Sequence, residues 1–297
     1  MASGRVVQLS RDQLPSLALR LKRYGAFSVQ TRAILHLLQA RLNPAPFQVL
    51  CGGADGDRDL VAVTVLRPIP GFAVVDVCAP ETSAGRRKLT DVLQAEELEH
   101  LWRGPFRVEA VAEGLAREVW SAASERGLKR FIDNADLQRL FVLPEGGDRP
   151  PRAESPRFVI RTLQPRHMTR VRSRWPMSHT LPDADVILRD CLPPGLAVGA
   201  FQAAPSGAVD FPADEPVSWT LLSSFGAQAA GYTELGFRRL GLQKCLLSEL
   251  SRRTISLGLP VFLHTADNNV SANKIARWLG CTPQHVVQWL TFEQPQH

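Results

Sequence analysis

The sequence is poor in several things, and each scarcity closes off a class of protein. No apolar run reaches the roughly eighteen residues that a membrane-crossing helix needs. Only five cysteines occur among 297 residues: Cys51, Cys78, Cys191, Cys245 and Cys281. They form no C-x-x-C pair and no His-rich ligand pattern, which argues against a disulfide framework or a zinc site. An odd, scattered set suits a reducing compartment. Acids are nearly missing from the first 54 positions, where seven bases (Arg5, Arg11, Arg20, Lys22, Arg23, Arg32, Arg41) meet one acid, Asp12. That composition resembles a mitochondrial transit segment, and a mitochondrial location is the expectation, with a cytoplasmic one as the alternative; a solvated helix face has the same composition. The formal charge is +6. No stacking-aromatic pattern or groove-reading module accompanies it, so nucleic acid is not an expected partner.

What remains suits a globular α/β chain. Apolar residues make up 44% of it, enough for substantial cores. Residues 144–157, which include Pro144-Glu145-Gly146-Gly147-Asp148-Arg149-Pro150-Pro151, are dense in proline, glycine and charge and have no apolar period. They read as a linker between a domain of residues 1–143 and one of residues 158–297, both of ordinary size.

In the first half, Leu14–Arg23 and Thr31–Leu42 have helical spacing, while Phe47–Cys51, Leu60–Val65 and Gly71–Val77 are strand-like. Ala54–Asp57 reads as a hairpin turn. Arg86–Leu101 and Val108–Glu125 read as helices and Leu140–Leu143 as a closing strand. In the second half the strands are Phe158–Leu163, Leu196–Gln202, Pro216–Ser223, Gln228–Thr233, Leu259–Thr265 and His285–Phe292. Helical spacing marks Asp183–Cys191, Leu242–Leu257 and Asn269–Leu279, and Pro165–Trp175 reads as a basic helix or loop.

The chemistry concentrates where strand Gln228–Thr233 turns into helix Leu242–Leu257. The turn is Arg238-Arg239-Leu240-Gly241-Leu242-Gln243. A helix N-terminus offers unpaired N–H groups and a positive dipole end, and glycine lets a phosphate approach closely. Further on, a strand precedes Asn269-Val270-Ser271-Ala272, where Asn269 suits an N-cap, and Leu279-Gly280-Cys281 follows.

These two signals, in this order, resemble the GCN5-related N-acetyltransferase fold, which carries Arg/Gln-x-x-Gly-x-Gly/Ala and then Asn-x-x-Ala and Leu-Gly-Phe. The chain departs at the last position of the turn, where Gln243 stands. Pro216-Val217-Ser218-Trp219, the arginine turn and Leu257-Gly258-Leu259-Pro260-Val261-Phe262-Leu263-His264 are similar to the glycine N-acyltransferase family, as is Leu21-Lys22-Arg23-Tyr24-Gly25. The good matches cover residues 216–264. The resemblance implies two tandem acetyltransferase-like halves, the N-terminal one degenerate. It implies acyl-CoA as co-substrate with no permanent cofactor, and a small amino acid such as glycine as acceptor. Arg238, Arg239, Leu240, Gly241, Leu242, Gln243 and Asn269 would then bind the CoA.

Amine attack on a thioester needs a base and a dipole at the thioester oxygen, and no metal. Aligned by eye, the family's glutamate base falls at Ala227, and the tyrosine acid of many acetyltransferases falls at Ala276. Glu234, at the strand end before the turn, and His264 are the candidate catalytic residues, with Asp267 behind them. Arg161, Arg166, His167, Arg170, Arg172 and Arg174 form a basic cluster; Arg170 and Arg174 share a helix face. They are candidates for a phosphate or an acceptor carboxylate, or a solvated face. Trp175 and Trp219 are candidate walls of an acyl pocket, or core residues. A peptide or lysine acceptor, and a CoA-binding protein without catalysis, stay open beside the small-acceptor enzyme.

Overall fold

A computed structural model describes residues 6–43, 45–53, 58–131, 137–146, 150–151, 155, 157–175, 178, 188, 195–203, 212 and 214–293. The chain forms two compact units, Met1–Leu140 with Gln284–His297, and Phe141–Pro283. The sequence division instead keeps everything after residue 157 together. The C-terminal segment goes to the first unit because the last strand finds its hydrogen-bonding partner there.

The first unit opens with strand β1 (Val6–Gln8), α1 (Leu14–Leu21) and α2 (Val29–Gln39). Leu14, Leu17 and Leu21 recur at helical spacing and are buried. Three valine-rich strands follow as an antiparallel meander: β2 (Phe47–Gly52), β3 (Val61–Ile69) and β4 (Phe72–Cys78). Next come α3 (Ser83–Leu93), β5 (Phe106–Ala112), α4 (Ala116–Ser124), β6 (Lys129–Phe131) and β7 (Leu137–Val142). Strand β5 runs parallel to β4, as a strand joined through a helix does. On its other side it pairs antiparallel with β13 (Thr282–Glu293), from Val287↔Ala112 to Phe292↔Phe106.

Two sequence expectations fail in this unit. Arg86–Leu101 is not one helix: α3 stops at Leu93, Ala95 is extended, and a 3-10 stretch, Glu96–Arg103, follows. Val108–Glu125 begins as β5 before α4 starts at Ala116. A strand paired on both edges and buried on both faces has a near-continuous apolar sequence, which short-range periodicity does not separate from an adjoining helix.

A polar knot sits inside this unit. The β4–β5 ladder runs to Val75↔Val108. Just beyond it, Gln30 of α2 donates through Nε2 to Asp76 Oδ1 (2.9 Å) and to the Glu109 carbonyl (2.9 Å). Thr31 donates to Asp76 Oδ2 at 2.6 Å. Burial pushes Asp76 up to about 6 against the two hydrogen bonds, and pushes Glu109 up to about 7 against the nearby Arg107.

The second unit repeats the plan. Strands β8 (Phe158–Thr162), β9 (Ala197–Gln202), β10 (Ser218–Leu222) and β11 (Gln228–Thr233) pair antiparallel in that order, with α5 (Met168–Arg174) between the first two. Then α6 (Leu242–Ser256) leads to β12 (Phe262–Thr265), parallel to β11, and α7 (Val270–Trp278) follows. Trp219 and Leu221 pack with Leu163, Met168, Val171 and Phe201. Ser218 and Thr220, at the alternate positions of β10, lie on its other face. Leu247, Leu263, Ala276, Leu279 and Cys281 form a further cluster with Phe141. The expected hairpin turn Ala54–Asp57 lies outside the described residues, as does almost all of the expected helix Asp183–Cys191.

Candidate functional site

The turn between β11 and α6 is shaped by backbone conformation. After Thr233, a 3-10 stretch (Leu235–Phe237) brings the chain to Arg238. Arg239 and Gly241 then both adopt left-handed conformations, with φ of 66° and 77°. Nothing lies within 4 Å of where a Cβ on Gly241 would stand, so it is the φ value, not space, that asks for glycine. No side chain caps α6. Lys244 and Cys245 donate to the Gly241 carbonyl at 3.0 and 3.2 Å. Ahead of them, the N–H groups of Gly241, Leu242 and Gln243 find no backbone acceptor among the described residues. They point out of the positive end of the helix dipole, an arrangement that suits an anion. Arg238, Arg239, Leu240 and Gly241 are exposed, Leu242 is buried, and Gln243 is half-buried. Arg238 Nε donates to the Thr233 carbonyl at 3.1 Å, and its guanidinium lies 5.7 Å from the Tyr232 ring.

Gln243, the departure in the turn, does not block this seat, because its side chain turns inward onto the sheet. Nε2 lies 2.8 Å from the Tyr232 carbonyl, 2.9 Å from Ser218 Oγ and 3.0 Å from the Trp219 carbonyl. The β10–β11 register shifts at that place, between Trp219↔Tyr232 and Leu221↔Ala229. The extra residue is accommodated by a bulge in which Ala230 takes a φ of 52°.

Strands β11 and β12 pair through a single register position, Gln228↔Leu263. His264 on β12 is half-buried, edge-on to Phe262 at 5.7 Å. Asn269 caps α7, its Oδ1 accepting from the Ala272 N–H at 3.1 Å. Asn273 ties the same loop from inside: its carboxamide bonds to Thr265 and donates to the carbonyls of Ala266 and Asp267. The Asp267 residue itself is exposed.

Glu234 is 8% exposed, and Arg170 Nη2 donates to its Oε1 at 2.5 Å. Arg174 Nε approaches the same oxygen to 3.7 Å. Arg170 also lies 3.8 Å from Glu215, and Arg166 lies 3.9 Å from Asp214. The basic cluster is therefore laced with acids brought from elsewhere in the chain. His167 is buried, with Nδ1 accepting from the Gln164 N–H; burial and then Arg166 push its pKa down. It shapes the entry to α5. Ala227 is 6% exposed, and Ala276 is fully buried against Phe141 and Leu279. Trp219 is core, with Tyr232 tilted against it at 5.2 Å and Trp175 partly buried on the same cluster. No group of three metal-ligating side chains occurs among the described residues. Among the same residues, no helix is long and apolar enough to cross a membrane.

Sequence reading missed two features here. The pairing of Arg170 with Glu234 joins residues far apart in the chain. The inward turn of Gln243 had a weak signal, a long polar side chain where the fold's motif has a small residue.

No family model and no curated protein matches the chain. Solved structures do. A Drosophila protein is 16% identical with a TM-score of 0.72, over 99% of this chain and 100% of that one. A GCN5-related N-acetyltransferase from Sphaerobacter thermophilus is 15% identical with a TM-score of 0.53, over 98% and 97%. A tandem GNAT protein from the clavulanic acid biosynthesis pathway is 14% identical with a TM-score of 0.50, over 99% of each chain. At such identities the likeness is one of fold, and the fold is that of the GCN5-related N-acetyltransferases in tandem form, spanning both halves of the chain.

Proposed function

We propose that the chain is an acyl-CoA-dependent N-acyltransferase acting on the amine of glycine or a similar small amino acid. The observation that carries this reading is the uncapped α6 N-terminus behind two left-handed residues and two arginines, beside strands that meet at one register position. The N–H groups from Gly241 to Gln243 would take the pyrophosphate, Arg238 and Arg239 would add charge, and the pantetheine arm would run between β11 and β12. The glycine acceptor rests on the Pro216–Trp219 and Leu257–His264 motifs. A mitochondrial location is part of the same proposal and rests on the acid-poor N-terminal segment. A leader that extended through Gln8 would take β1 away from β2 on removal.

In the transfer, the amine nitrogen attacks the thioester carbonyl, the C–N bond forms, and the C–S bond breaks to release CoA. Two protons leave the nitrogen, one from the ammonium before attack and one that passes to the departing thiolate, and this traffic needs side chains to carry it. Glu234 and His264 are the side chains proposed to handle it. Glu234 would act with its carboxylate held by Arg170, so that proton uptake would loosen that ion pair.

Purified protein incubated with acetyl-, benzoyl- and phenylacetyl-CoA and a mixture of amino acids tests this by mass spectrometry. An N-acyl amino acid is the expected product. CoA retained without product would favour a second reading, binding without small-molecule catalysis. The buried alanines Ala227 and Ala276, at the positions where the fold's proton-handling side chains are expected, motivate that reading. Peptide amines are the acceptors to try next.

A further inference from the structure

We propose that Gln243 is a positioning residue, fixing the bulged strand β11 relative to the phosphate turn so that the two ends of an acyl-CoA are held in register. The inference rests on the acyl-CoA reading above.

The bulge leaves strand β11 with a problem of its own. The register shifts directly beside the Trp219↔Tyr232 pair, and the carbonyls of both residues accept from outside the ladder. One carboxamide answers both, at 3.0 and 2.8 Å, and reaches Ser218 Oγ at 2.9 Å. It comes from the second residue of α6, whose backbone N–H belongs to the proposed pyrophosphate seat. The same residue therefore stands at the seat through its backbone and at the bulge through its side chain. Gly231 leaves room for it: a Cβ there would stand 2.8 Å from Gln243 Oε1. Ser218 Oγ and Thr233 Oγ1 are 2.7 Å apart and line the same contact.

The bulge needs holding. Ala230 sits at φ 52°, which costs a residue with a Cβ. Slipping back to a regular ladder would relieve it, but a one-residue slip turns every following side chain to the opposite face. Tyr232 would then leave Trp219, and the chain up to Arg238 would shift relative to α6. Ser218 Oγ also donates to the Tyr232 carbonyl, at 2.9 Å, but a Gly or Ala at position 243 would leave the tie from α6 to both strands unmade.

Binding measurements need no acceptor. The dissociation constants of CoA and of 3′-phospho-ADP, which has the pyrophosphate without the pantetheine arm, are compared by calorimetry. Their ratio reports what the arm gains along β11. In Gln243→Ala and Gln243→Glu the ratio is expected to narrow by about tenfold, the donor having been removed in one and replaced by an acceptor facing two carbonyls in the other. Gly231→Ala reaches the same end from the opposite side by displacing Gln243. Its effect should largely vanish on top of Gln243→Ala, because the clash is then gone. Variants that weaken both ligands equally, or neither, overturn the inference, since a merely structural role moves stability without changing the ratio. Wild-type protein that binds neither ligand overturns the acyl-CoA reading itself and the inference with it.

Discussion

The two halves present the same junction in opposite condition. In each, a strand turns into a helix that leads to a parallel strand: β4 to α3 to β5, and β11 to α6 to β12. The α3 junction is filled from within. Thr82 accepts from the Gly85 N–H at 2.9 Å and donates to Asp59 at 2.7 Å. The Pro80 carbonyl lies where a Cβ on Gly85 would go, and the Glu81 carboxylate lies against Gly114. Beyond the β4–β5 ladder, Gln30 bridges Asp76 and the Glu109 carbonyl. The α6 junction has no side-chain cap, and two arginines stand just before its helix. Backbone groups that a fold leaves open are taken up by its own side chains when no ligand claims them. The first half does this with one threonine, whose hydroxyl takes the Gly85 N–H, and one glutamine, which takes the Glu109 carbonyl.

Gly241→Glu should break the comparison most severely. A side chain at φ 77° and a negative charge at the helix N-terminus would make α6 resemble α3 in sign. CoA affinity should fall by at least about a hundredfold by calorimetry, through lost N–H contacts and like-charge repulsion. Affinity equal to wild type would remove the pyrophosphate from this turn.

Asp76→Asn sharpens the other side. Asp76 and Glu109 have folded pKa values above their ordinary ones, so between roughly pH 4 and 7 the folded state holds protons that the unfolded chain releases. Stability of the first unit should therefore fall as pH rises through that window. Denaturant melts at about pH 4.5 and about pH 8 should differ by less in the variant, by on the order of 2 kcal/mol. An unchanged difference would mean that Asp76 is ionised throughout.

The smallest effect separates cap from seat. Thr82→Ala should cost about 1 kcal/mol of stability, the ordinary loss of an N-cap, and leave CoA affinity alone. A shift in affinity would give the first half a part in binding.

Much of this was legible because it is local. Asn269 reads as an N-cap from its own position, and Gly241 reads as a turn residue beside a helical run. Strand Gln228–Thr233 keeps the bounds the sequence suggests. What stayed hidden depends on partners remote in the chain. Phe106–Ala112 is a strand only because β4 and β13 flank it. Glu234 looks solvated until Arg170 is folded beside it. Position 243 shows a mismatch in the motif, but where that side chain turns is decided by a bulge in another element.

The placement of the last strand also has a consequence in time. Unit 1 holds β5 and β6, yet both pair with β13, which follows unit 2 in the chain. Domains ordinarily fold in the order of their synthesis. Here β5 must wait, lacking one neighbour, until the ribosome has passed through unit 2, and a truncation within β13 would damage the unit made before it.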